Sequence, residues 1–179
     1  MYLVFAFALT SFFILDPLAG KSHNRFFGVN RRMKLLPERY YRGLTKTQKI
    51  KRHAEIRRFG AMSASNPRAY VGFHTDKGIK TRTSQYTRAW RRRFPDAHSL
   101  SEKAVATGVP LRYIQECYNR GLAAWRTGHR PGATEQQWGY ARVHSLLLCG
   151  KTHYGPDADI VRAARTTAGG RKWFAQCKE

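Results

Sequence analysis

Carboxylates are what this 179-residue sequence lacks most: 11 Asp and Glu stand against 33 Lys and Arg, a formal net charge of +22. A body with that imbalance repels itself, so an acidic partner is expected to neutralise it. The same shortage excludes the clustered carboxylates that hold a catalytic metal in nuclease chemistry. Asp157 and Asp159 form the one close acidic pair, and their place ahead of an apolar run suits the capping of a helix start.

Cysteine is scarce too. Cys117, Cys149 and Cys177 are far apart and in no CxxC pair, so they read as free thiols, with neither a disulfide framework nor a zinc site. Gly150-Lys151-Thr152 invites comparison with a phosphate-binding loop, but Ser145 stands where that motif needs glycine, and a helical pattern precedes it. The seven histidines show no pair at metal-ligand spacing on a helix. With no GxGxxG, HExxH or GxSxG either, the expectation is a binding protein with no catalytic residue, metal or cofactor.

Apolar runs are confined to the start. MYLVFAFALTSFFIL carries no charge, yet it is shorter than the roughly twenty residues of a membrane span. Three readings of residues 1–20 stay open: a membrane anchor, a cleaved signal, or a helix packed on a neighbour. Residues 21–44 follow as an extended basic and aromatic arm without period, in which Phe26 and Phe27 would anchor and Arg31 and Arg32 would supply counter-charge.

Residues 45–98 form a basic helical and loop region, and residues 39–98 hold 16 Lys and Arg against 3 Asp and Glu. Thr45 and Gln48 make a capping-box pattern for a helix ending at Gly60, whose exposed face would carry Lys49, Lys51, Arg52, Arg57 and Arg58 toward a partner. Residues 61–82 read as loop, with at most a short strand near Tyr70 to Phe73. A second helix places Tyr86, Trp90 and Phe94 on one face and Arg88, Arg91, Arg92 and Arg93 elsewhere.

Residues 99–168 read as a compact helical module. Ser99 and Glu102 cap a short helix closed by Gly108; Pro110 opens a longer one with Leu111, Ile114, Tyr118, Leu122 and Trp125 on its buried face. After the turn Gly128-His129-Arg130-Pro131-Gly132, Thr134 and Gln137 cap a partner helix, with Trp138, Ala141, Val143, Leu147 and Leu148 facing back. A helix from Asp157 ends near residue 168, and Gly169-Gly170 releases a basic tail, residues 169–179. The fold class expected is mainly α: a small helical domain with a central antiparallel hairpin and a basic N-terminal arm. In the turn, His129 is expected to bond a carbonyl at the end of the preceding helix.

The strings Ala124-Trp125-Arg126-Thr127-Gly128-His129-Arg130-Pro131-Gly132, Gln137-Trp138-Gly139-Tyr140-Ala141-Arg142-Val143 and Asp157 to Asp159 are long and distinctive. Together with Arg39 to Arg52 upstream, they resemble an uncharacterised family of basic proteins of double-stranded DNA viruses, including large algal viruses and marine phages. The resemblance covers about residues 39–160 and implies a viral setting without an assigned activity. Joined to the arm and the apolar terminus, it leads to the expectation of a virion structural protein, a minor capsid or cement component. Its partners would be major capsid and other minor capsid proteins, with an internal membrane reached through residues 1–20. The alternative is a sequence-nonspecific nucleic-acid-binding protein that packages viral DNA.

Overall fold

The computed structural model describes residues 36–177, and the expectations for residues 1–35, including Phe26, Phe27, Arg31 and Arg32, lie outside them. Among the described residues the chain is helical, without strands: α1 (Lys46–Gly60), α2 (Gln85–Arg93), α3 (Leu100–Thr107), α4 (Leu111–Trp125), α5 (Glu135–Leu147), α6 (Lys151–Tyr154), α7 (Ala158–Ala164) and α8 (Ala168–Phe174). No helix among them is long and apolar enough to cross a membrane.

Local chemistry sets the helix starts. At α1, α3 and α5 the hydroxyl of Thr45, Ser99 or Thr134 accepts from the third helical amide, and the side chain of Gln48, Glu102 or Gln137 accepts from the cap amide. Each box satisfies two amides that the helix cannot serve itself. Gly108 ends α3 in the left-handed conformation. Between α1 and α2 the expected short strand is absent; Pro67–Tyr70 and His74–Asp76 are single 3-10 turns.

The hairpin of α4 and α5 is the centre of the fold, but its seam differs from the expected one. On α4 the buried line is Ile114, Cys117, Gly121 and Trp125, while Leu111 is exposed. On α5 it is Gly139, Val143 and the run His144 to Leu147. The reason is steric. A Cβ added to Gly121 would stand 2.7 Å from the Gly139 Cα, and one added to Gly139 would stand 2.7 Å from the Tyr118 ring. Two glycines therefore let the backbones cross closely, and the seam rotates to follow them.

The main core lies beside this crossing, built from Trp90, Ile114, Cys117, Val143, Leu146, Leu147, Ile160, Val161 and Phe174. Each such large side chain contributes roughly 1.5–3 kcal/mol on burial. A second cluster joins Ile56 and Phe59 of α1 to Phe73 and Trp125. Indole N–H groups tie loops to these cores: Trp90 donates to the Ala97 carbonyl at 3.0 Å, Trp125 to Ala133 at 2.7 Å and Trp173 to Leu147 at 2.9 Å.

The C-terminal region overturns two expectations. Residues 169 and 170 do not release a tail; they lie in the first turn of α8, where Gly170 fits under the Ala164 carbonyl and Phe174 is fully buried. Cys149 and Cys177 are not free thiols but a disulfide, their Cα atoms 5.4 Å apart, which fastens the end of α8 to the end of α5. Cys117 stays a buried free thiol, as expected.

Replacing Gly121 with Ala is expected to destabilise the fold by about 1–3 kcal/mol through overpacking at the crossing. Thermal unfolding measures it, and an unchanged midpoint would show that α4 and α5 part without cost.

Candidate functional site

Two polar assemblies stand out, one closed and one open. The closed one is centred on Asp76, the last residue of the 3-10 turn that packs on α1. Its Oδ1 accepts from Arg52 Nη1 at 2.8 Å and from the Gly132 amide at 2.9 Å, and its Oδ2 meets His129 Nε2 at 2.8 Å. Arg52 also donates to Thr75 Oγ1 at 3.1 Å and to the His129 carbonyl at 2.8 Å. A guanidinium offers five donors in a rigid fork, which suits a site that joins three segments.

This arrangement corrects one predicted contact residue. Arg52 is fully buried, with Phe73 under its guanidinium at 4.4 Å, so it is a structural cation and not part of an exposed face. Lys49, Lys51, Arg57 and Arg58 remain exposed on α1. His129 fulfils the expected carbonyl bond, with Nδ1 2.8 Å from the Trp125 oxygen, and its ring stacks on Trp125 at 4.3 Å. Both of its partners are acceptors, so the ring serves both at once only as an imidazolium, which burial opposes by pushing its pKa below the ordinary value. Burial also opposes ionisation of Asp76, but the bonds from His129 and Gly132 and the Arg52 charge outweigh it and hold the carboxyl below its usual range.

The rest of the turn is built around this centre. Gly132 has φ +76°, and a Cβ there would strike the Ile79 carbonyl. Gly128 lies against the Tyr40 ring, Pro131 is buried, and Arg126 donates to the carbonyls of Phe59, Gly60 and Met62 at the end of α1. Gly128 to Gly132 is thus a folding device with one outward member, Arg130.

A second buried carboxylate does similar work. Asp157 does not cap α7 through its side chain as expected. It is wholly buried and takes two bonds of 2.7 Å from Arg142, with Cys117 Sγ donating at 3.2 Å. Asp159 is exposed and bonds Arg120.

The open assembly is a groove of about 910 Å³ bounded by the segment before α2, α2 itself, the start of α3, the turn, α5 and α6. Among the described residues its wall holds Arg39, Arg82, Arg91, Lys103, Arg130, Arg142 and Lys151, and no Asp or Glu. Hydroxyls of Thr81, Thr83, Ser84, Thr87, Ser99 and Thr152 lie between the cations, and Tyr86, Trp138 and Tyr140 add partly exposed rings. Of the predicted contact residues on α2, Arg91 reaches this wall, as does Arg130 of the motif turn; Arg88, Arg92 and Arg93 are exposed elsewhere on α2, Arg93 lying over Phe94 and Trp173.

Lys103 is the fixed cation of the wall. It is 1% exposed, and its ammonium donates to the carbonyls of Ala97, His98 and Ser99. Burial lowers its pKa to about 8, with Glu102 pulling the other way, so at neutral pH it is mostly charged and has no carboxylate partner. His144 faces Thr87 Oγ1 through Nδ1 at 3.0 Å and stacks on Trp90, while its buried Nε2 has no partner.

A family of unknown function (DUF5824) matches residues 37–162. The chain belongs to this family. Every wall residue of the groove, from Arg39 to Pro156, falls within the matched span, as do Arg52, Asp76, His129 and Asp157. No curated protein and no solved structure matches the chain. No cluster of His, Cys, Asp and Glu suited to a metal ion occurs among the described residues.

Sequence reading found the turn and two of the groove's cations. It missed Lys103, Arg142, His144 and Asp76, whose roles arise from contacts across long separations. The available signal was the isolation of Asp76 in a chain so poor in acid, since a carboxylate that stands alone among cations has several donors to serve.

Replacing Asp76 with Asn is expected to cost about 3–5 kcal/mol, because Arg52 is left as a buried charge without its counter-ion. Denaturant unfolding measures it; a loss under about 1 kcal/mol, the range of exposed pairs, would assign the centre a minor role. His144 gives a pH test. Burial, with Lys103 and Arg91 nearby, lowers its pKa from 6.5 to about 3 in the folded state. Its contribution is therefore complete above pH 6.5 and is lost as pH falls from there toward 3, at up to about 1.4 kcal/mol per pH unit. His144→Phe should flatten the stability profile between pH 7 and 5, and an identical slope in the variant would contradict this.

Proposed function

We propose that this protein binds nucleic acid through its phosphates, without base-sequence readout, and that the groove between α2 and α5 is the binding site. The observation that carries the reading is the wall itself: cations from six separate segments converge on one concavity that contains no carboxylate among its described residues. Asp157 already serves Arg142 of this wall and Asp76 serves Arg52, and the other six wall cations are left for an external anion. Accessible hydroxyls such as that of Thr83 suit phosphate oxygens, and rings suit sugars or bases. The resemblance of the 124–132 and 137–143 strings to basic proteins of double-stranded DNA viruses supports a viral setting and makes viral DNA the natural polyanion.

A second reading is a minor capsid or cement component of the virion, bridging major capsid proteins. The Cys149–Cys177 disulfide favours it, because such bonds persist in oxidising surroundings such as those met by a released particle. The two readings separate by sedimentation: a capsid component stays with DNA-free shells, whereas a packaging protein leaves with the genome.

A mobility-shift titration tests the groove directly. The double variant Arg82→Glu, Lys151→Glu is expected to weaken binding of DNA at least about tenfold and to reduce the slope of log affinity against log salt by about 2. Lys49→Glu with Arg57→Glu, on the exposed face of α1, should change both far less. Absence of binding at low salt, or an equal loss from the α1 pair, would sink the proposal.

A further inference from the structure

Phosphate binding alone does not need a cavity. A cationic surface is enough for a duplex, whose bases stay stacked inside a rod that presents only backbone and groove edges. The groove here is concave, its volume lies within the range of about 300–1,000 Å³ found for small-ligand pockets, and its wall contains the partly exposed rings of Tyr86, Trp138 and Tyr140.

Unpartnered polar atoms concentrate there as well. Among the described residues, four buried side-chain nitrogen and oxygen atoms have no hydrogen-bond partner, and two of them, Thr81 Oγ1 and His144 Nε2, belong to wall residues of this groove. Each such atom destabilises the fold when left unsatisfied, a cost retained where a ligand completes the bond. Neither atom carries a charge that would single out a phosphate. His144 is uncharged, since burial depresses its pKa, and its ring is held by Thr87 on one side and by the Trp90 face. A neutral imidazole nitrogen and a hydroxyl, next to aromatic rings, match the polar edge and the face of a nucleobase.

Resting on the phosphate-binding reading of the same groove, we infer that the protein binds single-stranded nucleic acid with one unstacked nucleotide entering the groove. Its base lies against the wall that contains Trp138, Tyr140, Thr81 and His144, and the flanking phosphates sit on the cationic rim. Base identity is not read, because two hydrogen-bonding atoms that can each donate or accept are served by any of the common bases.

Fluorescence anisotropy with the full-length chain and three probes tests this: a short mixed-sequence single strand, the same strand with abasic sites throughout, and the duplex of the same sequence. The single strand should bind about tenfold or more tightly than either of the others, as expected for base stacking in addition to phosphate contact. Thr81→Val should weaken single-strand binding several-fold, leave the abasic affinity unchanged and not lower the thermal midpoint, since it removes an orphan hydroxyl at constant volume; His144→Gln should weaken single-strand binding in the same way. Equal affinity for the three probes overturns the inference while leaving the phosphate-binding reading intact, and so does unchanged single-strand binding in both variants. Failure of every probe to bind at low salt removes both.

Discussion

Asp76, in the 3-10 turn His74–Asp76, receives Arg52 from α1 and both His129 and the amide of Gly132 from the turn after α4. Three segments that are remote in sequence are thereby fixed by one carboxylate, and the position of Arg130, the turn's contribution to the groove, follows from it. Asp157 does the corresponding work on the other side, where it holds Arg142 of α5 and receives the Cys117 thiol of α4. A chain with 33 basic residues and 11 acidic ones has few carboxylates to spend, and those two, Asp157 buried and Asp76 half-buried, are set against guanidinium groups. Most of the remaining cations cannot be neutralised internally.

That constraint connects the fold to the proposed activity. The α4–α5 crossing at Gly121 and Gly139 brings the two helices close enough for Arg142 to reach Asp157, and α5 then presents Tyr140 and His144 toward α2 and Lys103. The groove is therefore walled by side chains whose backbones are held by the core, and Lys103 and His144 are both in place before any ligand arrives. Preorganised cations cost less to engage than surface lysines that must be ordered on binding. The disulfide adds to this rigidity by fastening α8 behind α5.

The parts of the fold that were legible in the sequence are the local ones. All three capping boxes, the left-handed stop at Gly108, the α4–α5 hairpin and the bond from His129 to the Trp125 carbonyl follow from residues three or four positions apart or from a single turn. The expected faces of α4 and α5 were close but rotated, because periodicity counts large apolar residues and the seam is set by the two smallest. Arg52 was misread for a related reason: nothing local distinguishes it from Lys51 or Arg57, and its burial depends on Asp76, 24 residues away. Cys149 and Cys177, separated by 28 residues and in no recognisable pair, come together because α8 folds back onto α5.

The sequence by itself determined the helical class, the helix starts, the excess of positive charge and the absence of any familiar catalytic motif, since each depends on composition or on spacings within one helical turn. Only the tertiary structure decided which cations are buried and which face outward. It turned the single His129 turn into a three-segment junction around Asp76. It also gathered Arg82, Arg91, Lys103, Arg130 and Lys151, spread over some seventy residues, into one wall without a carboxylate. The physical reason is that the field of a charge depends on its neighbours in space, and in this chain those neighbours come from other helices.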